Sequence, residues 1–137
     1  MYGNNIGDMA WMDLSVLNAE QVKNFYQKLF GWQSKAVNMS CGDETYVDFA
    51  MSSKQTEPAT DNNFVTGVCH AKGANEDMPP VWLPYFLVAD IELAVATVQK
   101  ESGELVTEIK TMGDDKYVVI KDPSGAQCAL YQKFSIN

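Results

Sequence analysis

Apolar positions along this chain keep two rhythms, one of period two and one near 3.6, and the order in which they alternate occurs twice. "MAWMDLSV" (residues 9–16) reads as a strand that mixes apolar and polar positions. In "NAEQVKNFYQKLFGW" (18–32), Val22, Phe25, Tyr26, Leu29 and Phe30 recur at helical spacing and form one apolar stripe. Asn18 suits the N-cap, Gln21 stands where a capping box would close, and Gly31 is a C-terminal stop. "WQSKAVNM", "TYVDFAMS" and "NFVTGVCHA" then predict three strands, with the polar, proline-bearing "SKQTEPATDN" (53–62) as a loop. After "KGANEDMPPVW" (72–82), which reads as a linker, the same order returns. "LPYFLVAD" is a strand, and "DIELAVATVQKESG" is a helix capped by Asp90 and stopped at Gly103. "ELVTEIKTM", "KYVVIKD" and "AQCALYQ" are three further strands. "GDD" (113–115) signals a hairpin turn, and "DPSG" (122–125) a tight turn before the last strand.

The two halves align at an offset of 72 residues: Leu14 meets Phe86, Val16 meets Val88, Asn18 meets Asp90, Glu20 meets Glu92 and Gly31 meets Gly103. Strand end, helix cap and helix stop coincide under one shift. The predicted class is therefore α+β, with two βαβββ modules at 8–71 and 83–134 joined by a linker at 72–82. One helix cannot cover both faces of four strands, so the two sheets are expected to join and curve around a cavity.

Composition narrows the partners. The net charge is −8, and no Lys/Arg cluster is present to bind phosphates, which argues against nucleic acid. No run of about 18 apolar residues occurs, so no membrane helix is expected. The N-terminus lacks the pattern of a signal peptide. Cys41, Cys69 and Cys128 are few and widely spaced, as expected of reduced thiols in a cytoplasmic protein.

The stretches "DLSVLNAEQVKNFYQKLFGW", "WLPYFLVADIELAVATVQ" and "VIKDPSGAQCALYQ" resemble the vicinal oxygen chelate superfamily, which includes glyoxalase I, extradiol dioxygenases and bleomycin-resistance proteins. The resemblance covers nearly the whole chain. It is nearest to a branch related to lactoylglutathione lyase that often carries "PPxWLPYF" between its halves. The fold is what the motifs specify; the superfamily hosts many reactions.

Metal-dependent members take His, Glu or Gln ligands from the first and last strands of each module. Carried over by position, these places fall on Trp11, Leu83 and Ala129, with a fourth near His70, the only histidine. None of the first three side chains can ligate a metal. The resemblance thus implies a metal-independent member with no cofactor, binding a small, partly aromatic molecule in the cavity. Trp11, Asp13, Leu83, Tyr85, Leu87, Gln127, Ala129 and Tyr131 are expected to line it. Asp13 and His70 are the candidate acid–base groups; the plain alternatives are a hydrogen-bonded strand aspartate and a structural histidine. Trp11 and Trp82 suit either stacking on a planar ligand or core burial, and Trp32, just past the helix stop, is read as core. Cys69 and Cys128 lack a basic neighbour that would activate them.

A divalent ion held by Asp13, Asp48 and Gln127 is the remaining metal arrangement. Three rival functions follow: a metal-dependent lyase or dioxygenase with atypical ligands such as His70, a sequestering protein without turnover, and an interaction module. A homodimer is expected as in other superfamily members, with the apolar "MPPVWLPY" segment at its contact.

Overall fold

A computed structural model describes residues 2–41, 43–53 and 64–134. The loop expected at 53–62 lies, from residue 54 on, outside the described residues. The described part is a mixed α+β fold of nine strands and two α-helices. They are β1 (Met9–Val16), α1 (Ala19–Phe30), β2 (Gln33–Cys41), β3 (Glu44–Ser52), β4 (Phe64–His70), β5 (Leu83–Leu87), α2 (Ile91–Lys100), β6 (Glu104–Leu105), β7 (Lys110–Met112), β8 (Asp115–Lys121) and β9 (Gln127–Gln132). A short 3₁₀ turn, Gly73–Asn75, opens the segment before β5. None of the described helices is long and apolar enough to cross a membrane.

Two compact units result. One spans Met12–Trp82; the other joins Met1–Trp11 to Leu83–Asn137, so the division falls inside β1. In the Met12–Trp82 unit the strand order is β2-β3-β4-β1. There β1 runs parallel to β4 with Leu14 opposite Val68, and β3 runs antiparallel to β4 with Phe49 also opposite Val68. Helix α1 covers the face carrying these residues. Its core is Ala19, Met51 and Val68, packed by Val16, Val22, Trp32, Phe49 and Trp82.

The second unit orders its strands β5-β9-β8-β6, with β7 also on β8. Strand β5 runs parallel to β9 with Phe86 opposite Leu130, and β8 runs antiparallel to β9 with Val118 opposite Leu130. Ile91 of α2 packs there with Val118 and Ile120. Parallel first and last strands need a crossover, which each helix supplies.

Local structure departs from the sequence pattern at four places. The Asn18 side chain does not cap α1; its amide donates to Gln21 Oε1 at 3.0 Å, so the two side chains pair with each other instead of with the backbone. The α1 stripe is only half used. Ala19, Val22 and Tyr26 turn inward, whereas Phe25 and Leu29, one position round the helix, stay 60% and 59% exposed.

The expected strand 104–112 is broken in two. The N–H groups of Val106 and Thr107 both donate to the Val119 carbonyl, at 2.8 and 3.3 Å, and Thr107 Oγ1 accepts from Val119 N–H at 3.1 Å. Two residues opposite one is a β-bulge. The "MPPVWLPY" segment is not an exposed apolar strip either: Met78, Leu83 and Tyr85 are buried, and the Trp82 indole donates to Tyr26 Oη at 3.2 Å.

The end of α2 divides labour between two residues. Ser102, not glycine, takes the left-handed conformation at φ 71°, and Gly103 N–H returns to the Val98 carbonyl at 2.8 Å, a Schellman closure. Gly103 serves close packing: a Cβ there would meet Lys121 O and Val98 Cγ1, each at 2.8 Å. Ser102→Gly is therefore expected to stabilise the protein by about 1 kcal/mol, the strain of a left-handed L-residue. Gly103→Ala is expected to destabilise it by about 1–3 kcal/mol through overpacking. Urea unfolding of the two variants beside the parent checks both signs.

Candidate functional site

Because both units pair a first strand with a last strand in the same register, their positions correspond one to one. Leu14 and Phe86 face Val68 and Leu130. One residue back, Asp13 faces Gly67 and Tyr85 faces Ala129; one residue on, Ser15 faces Cys69 and Leu87 faces Tyr131. On the third strand, the antiparallel registers make Asp48 the counterpart of Tyr117. Side chains alternate along a strand, so these positions lie on the sheet face opposite each helix. That face carries Asp13, Asp48 and Cys69 in one unit, and Tyr85, Tyr117 and Tyr131 at the matching places in the other.

In the Met12–Trp82 unit the matching residues gather two carboxylates around a thiol. Gly67 makes this approach feasible, since a Cβ there would stand 3.3 Å from Asp13 Cβ and 3.4 Å from Cys69 Sγ. Asp48 is buried, and its Oδ1 accepts from the His70 backbone N–H at 2.8 Å and lies 3.3 Å from His70 Nδ1. The His70 ring leans edge-on to Tyr46 and also contacts Phe49. Cys69 donates its thiol hydrogen to Asp48. Burial pushes the thiol well above its ordinary range, and the charges of Asp13 and Asp48 push it further. That environment is the opposite of one that makes a nucleophilic thiolate. Cys128, in the other unit, is raised by burial as well.

The Met1–Trp11/Leu83–Asn137 unit presents aromatic chemistry. The rings of Tyr85, Tyr117 and Tyr131 form a triangle with centroids 6.3–6.4 Å apart. Tyr131 Oη donates to Asp115 Oδ2 at 2.6 Å, and Asp115 Oδ1 also accepts from Phe134 N–H at 2.8 Å. Burial raises the Tyr131 hydroxyl, reinforced by the Asp115 carboxylate. The same hydrogen bond is the main cause that lowers Asp115. Leu83, Leu87 and Ala129 are buried among these strands. Trp11 is half-buried and stacks on Tyr2 at 6.1 Å. Gln127, at the start of β9, buries its Oε1 without a hydrogen-bond partner among the described residues.

Of the residues expected to line a ligand site, seven therefore fall in this unit: Trp11, Leu83, Tyr85, Leu87, Gln127, Ala129 and Tyr131. Asp13 and His70 belong to the other. Tyr117 and Cys69 were not among the expected lining residues. The β8–β9 register, which strand parity alone does not supply, places Tyr117 opposite Tyr131.

The fold family's divalent metal does not fit these residues. Register puts the counterpart of Ala129 at Gly67, three residues before His70, so the four family positions hold Trp11, Leu83, Gly67 and Ala129. None offers a donor side chain. Among the described residues, no group of three or more His, Cys, Asp or Glu is placed to hold a metal ion.

The raised thiol has a measurable consequence. Above about pH 9, the ordinary thiol range, the unfolded chain releases the Cys69 proton while the folded chain keeps it. The unfolded state then binds fewer protons, so stability falls as pH rises. Unfolding free energies from urea titration are expected to drop by up to about 1.4 kcal/mol per pH unit from this group, and Cys69→Ala to flatten the drop. Native Cys69 is expected to resist iodoacetamide at pH 8 and react after unfolding, as read by peptide mass spectrometry.

Comparison with known proteins agrees with this architecture. The chain is 28% identical over 131 residues to the anthracycline biosynthesis protein DauV of Streptomyces sp. strain C5, covering 93% of this chain and 47% of that protein. It is 30% identical over 128 residues to the putative glyoxylase CFP32 of Mycobacterium bovis, covering 92% and 46%. This chain thus spans about half the length of these curated relatives. Among solved structures, a superfamily member from Vibrio splendidus 12B01 superposes with a TM-score of 0.51 at 16% identity, covering 90% of this chain and 97% of that one. Streptomyces coelicolor methylmalonyl-CoA epimerase in complex with 2-nitronate-propionyl-CoA gives 0.54 at 10% identity, covering 97% and 99%. The family model described as Glyoxalase/Bleomycin resistance protein/Dioxygenase superfamily matches residues 8–130, and the chain belongs to that superfamily.

Proposed function

We propose that this protein binds a small planar aromatic molecule on the tyrosine-bearing face of its Met1–Trp11/Leu83–Asn137 unit, without a divalent metal. The observation that carries the reading is the triangle of Tyr85, Tyr117 and Tyr131. Aromatic faces bind flat apolar ligands through offset and edge contacts, each worth about 0.5–1.5 kcal/mol beyond burial. Leu83 and Ala129 extend the same face with hydrocarbon at places where metal-dependent members keep ligands. The relatives named for anthracycline biosynthesis support the ligand class, because anthracyclines contain a planar fused-ring system. Asp13, Asp48 and Cys69 supply no comparable surface; two carboxylates and a raised thiol disfavour a flat apolar ring.

The test is thermal shift and calorimetry with fused-ring quinones on protein treated with EDTA. A ligand held by the native state alone raises the melting temperature. Tyr131→Leu is expected to weaken binding by about 3–10-fold, the equivalent of one aromatic contact, whereas Tyr131→Phe retains most of it. Binding that vanishes in EDTA and returns with Ni, Zn, Mn or Fe would overturn metal independence. Absence of any shift across the series would overturn aromatic binding itself.

A further inference from the structure

Gln127 stands apart from the rest of the tyrosine-bearing unit. It opens β9 opposite Lys121, and alternation places it on the same face as Ala129 and Tyr131. Its neighbours on that face are mostly hydrocarbon: Ala129 on its own strand and, two residues along β5 from Tyr85, Leu83, with Lys121 opposite on β8. Into this apolar setting the side chain buries a carbonyl oxygen that accepts no hydrogen bond among the described residues. The nearest strand partner does not supply one, because Lys121 Nζ is directed to Glu104, 4.0 Å away. A buried acceptor left unsatisfied is costly and uncommon, and buried polar groups in native proteins generally have a partner. Here the unpaired acceptor shares its face with Ala129 and Tyr131.

We infer that Gln127 is a specificity-determining residue whose Oε1 accepts a hydrogen bond from a hydroxyl on the bound aromatic, so that the preferred ligands are hydroxylated fused-ring compounds. The inference rests on the aromatic-binding reading above and adds the polar group that orients the ring. The ring packs by its face and tolerates many flat molecules. The hydroxyl selects among them, since a ligand without a donor leaves Oε1 unpaired in the complex as well.

The experiment compares 2-hydroxyanthraquinone, whose hydroxyl is too far from the ring carbonyls to bond them internally, with anthraquinone by calorimetry, on the parent protein and on Gln127→Leu. The parent is expected to bind the hydroxylated compound at least tenfold more tightly. Gln127→Leu is expected to bind both with equal affinity and, having lost a buried unpaired acceptor, to melt at a temperature no lower than the parent. Equal affinity of the parent for both compounds would overturn the inference and leave aromatic binding standing. Retention of the preference in Gln127→Leu would also overturn it. Failure of either compound to bind the parent would remove the aromatic reading and this inference together. If Gln127→Leu does not fold, Gln127→Met serves in its place, and the two-ligand comparison on the parent decides without a variant.

Discussion

Everything in this molecule that bears on function depends on one pairing, made twice: the parallel contact between the first and last strands of each unit. Leu14 against Val68 and Phe86 against Leu130 lie under their helices, and once those pairs are set, alternation leaves no freedom on the opposite face. A slip of one residue would put Asp13 and Tyr85 into the helix-covered cores and bring Leu14 and Phe86 out. The cores resist that slip because Val68 and Val118 are fully buried between strand and helix. Packing on one side of each sheet therefore holds the chemistry on the other.

The duplicated geometry is what gives the contrast between the units its meaning. Asp13, Asp48 and Cys69 correspond to Tyr85, Tyr117 and Tyr131 by hydrogen-bond register, not by resemblance of the residues. Acidic and polar groups in one unit face a thiol whose proton they help retain. The tyrosine unit instead gathers three rings, with Tyr85 and Tyr117 buried and the Tyr131 hydroxyl held by Asp115. Among the described residues neither set is a metal-binding constellation, although Asp13, Cys69, Tyr85 and Tyr131 sit on the first and last strands, where the family resemblance places metal ligands.

Much of this could be read from the chain before any coordinates. The rhythm of apolar residues, Asp90 as a cap, and the repeat linking Leu14 to Phe86 foretold the element order and the α+β class, because each rests on local spacing. What was missed depended on contacts between distant residues. The bulge at Val106 and Thr107 exists because both bond Val119, which no periodicity encodes. Asn18 turned its amide to Gln21 because a side-chain pair competed with the backbone cap. The half-used stripe of α1 reflects which helix face meets Met51 and Val68, a tertiary fact. In the candidate site, parity along β5 and β9 was legible. Tyr117 was not singled out because doing so needs the β8–β9 register, and the counterpart of Ala129 escaped alignment because the repeat offset changes between the early and late strands.

The residues at the family's metal positions are structurally coupled to their neighbours. At Gly67, any side chain begins with a Cβ only 3.3–3.4 Å from Asp13 and Cys69, tighter than most contacts in folded proteins. A carboxylate or imidazole there would have to displace the groups now gathered around the thiol. Ala129 is fully enclosed, directly opposite Tyr85 and Val119, so a longer donor would displace a ring or a strand neighbour. Restoring a ligand at either place is therefore a repacking problem and not a single exchange of residues. The small residue and its large neighbours form one arrangement in each unit, and that arrangement commits the face to acid and thiol in one case and to aromatic rings in the other.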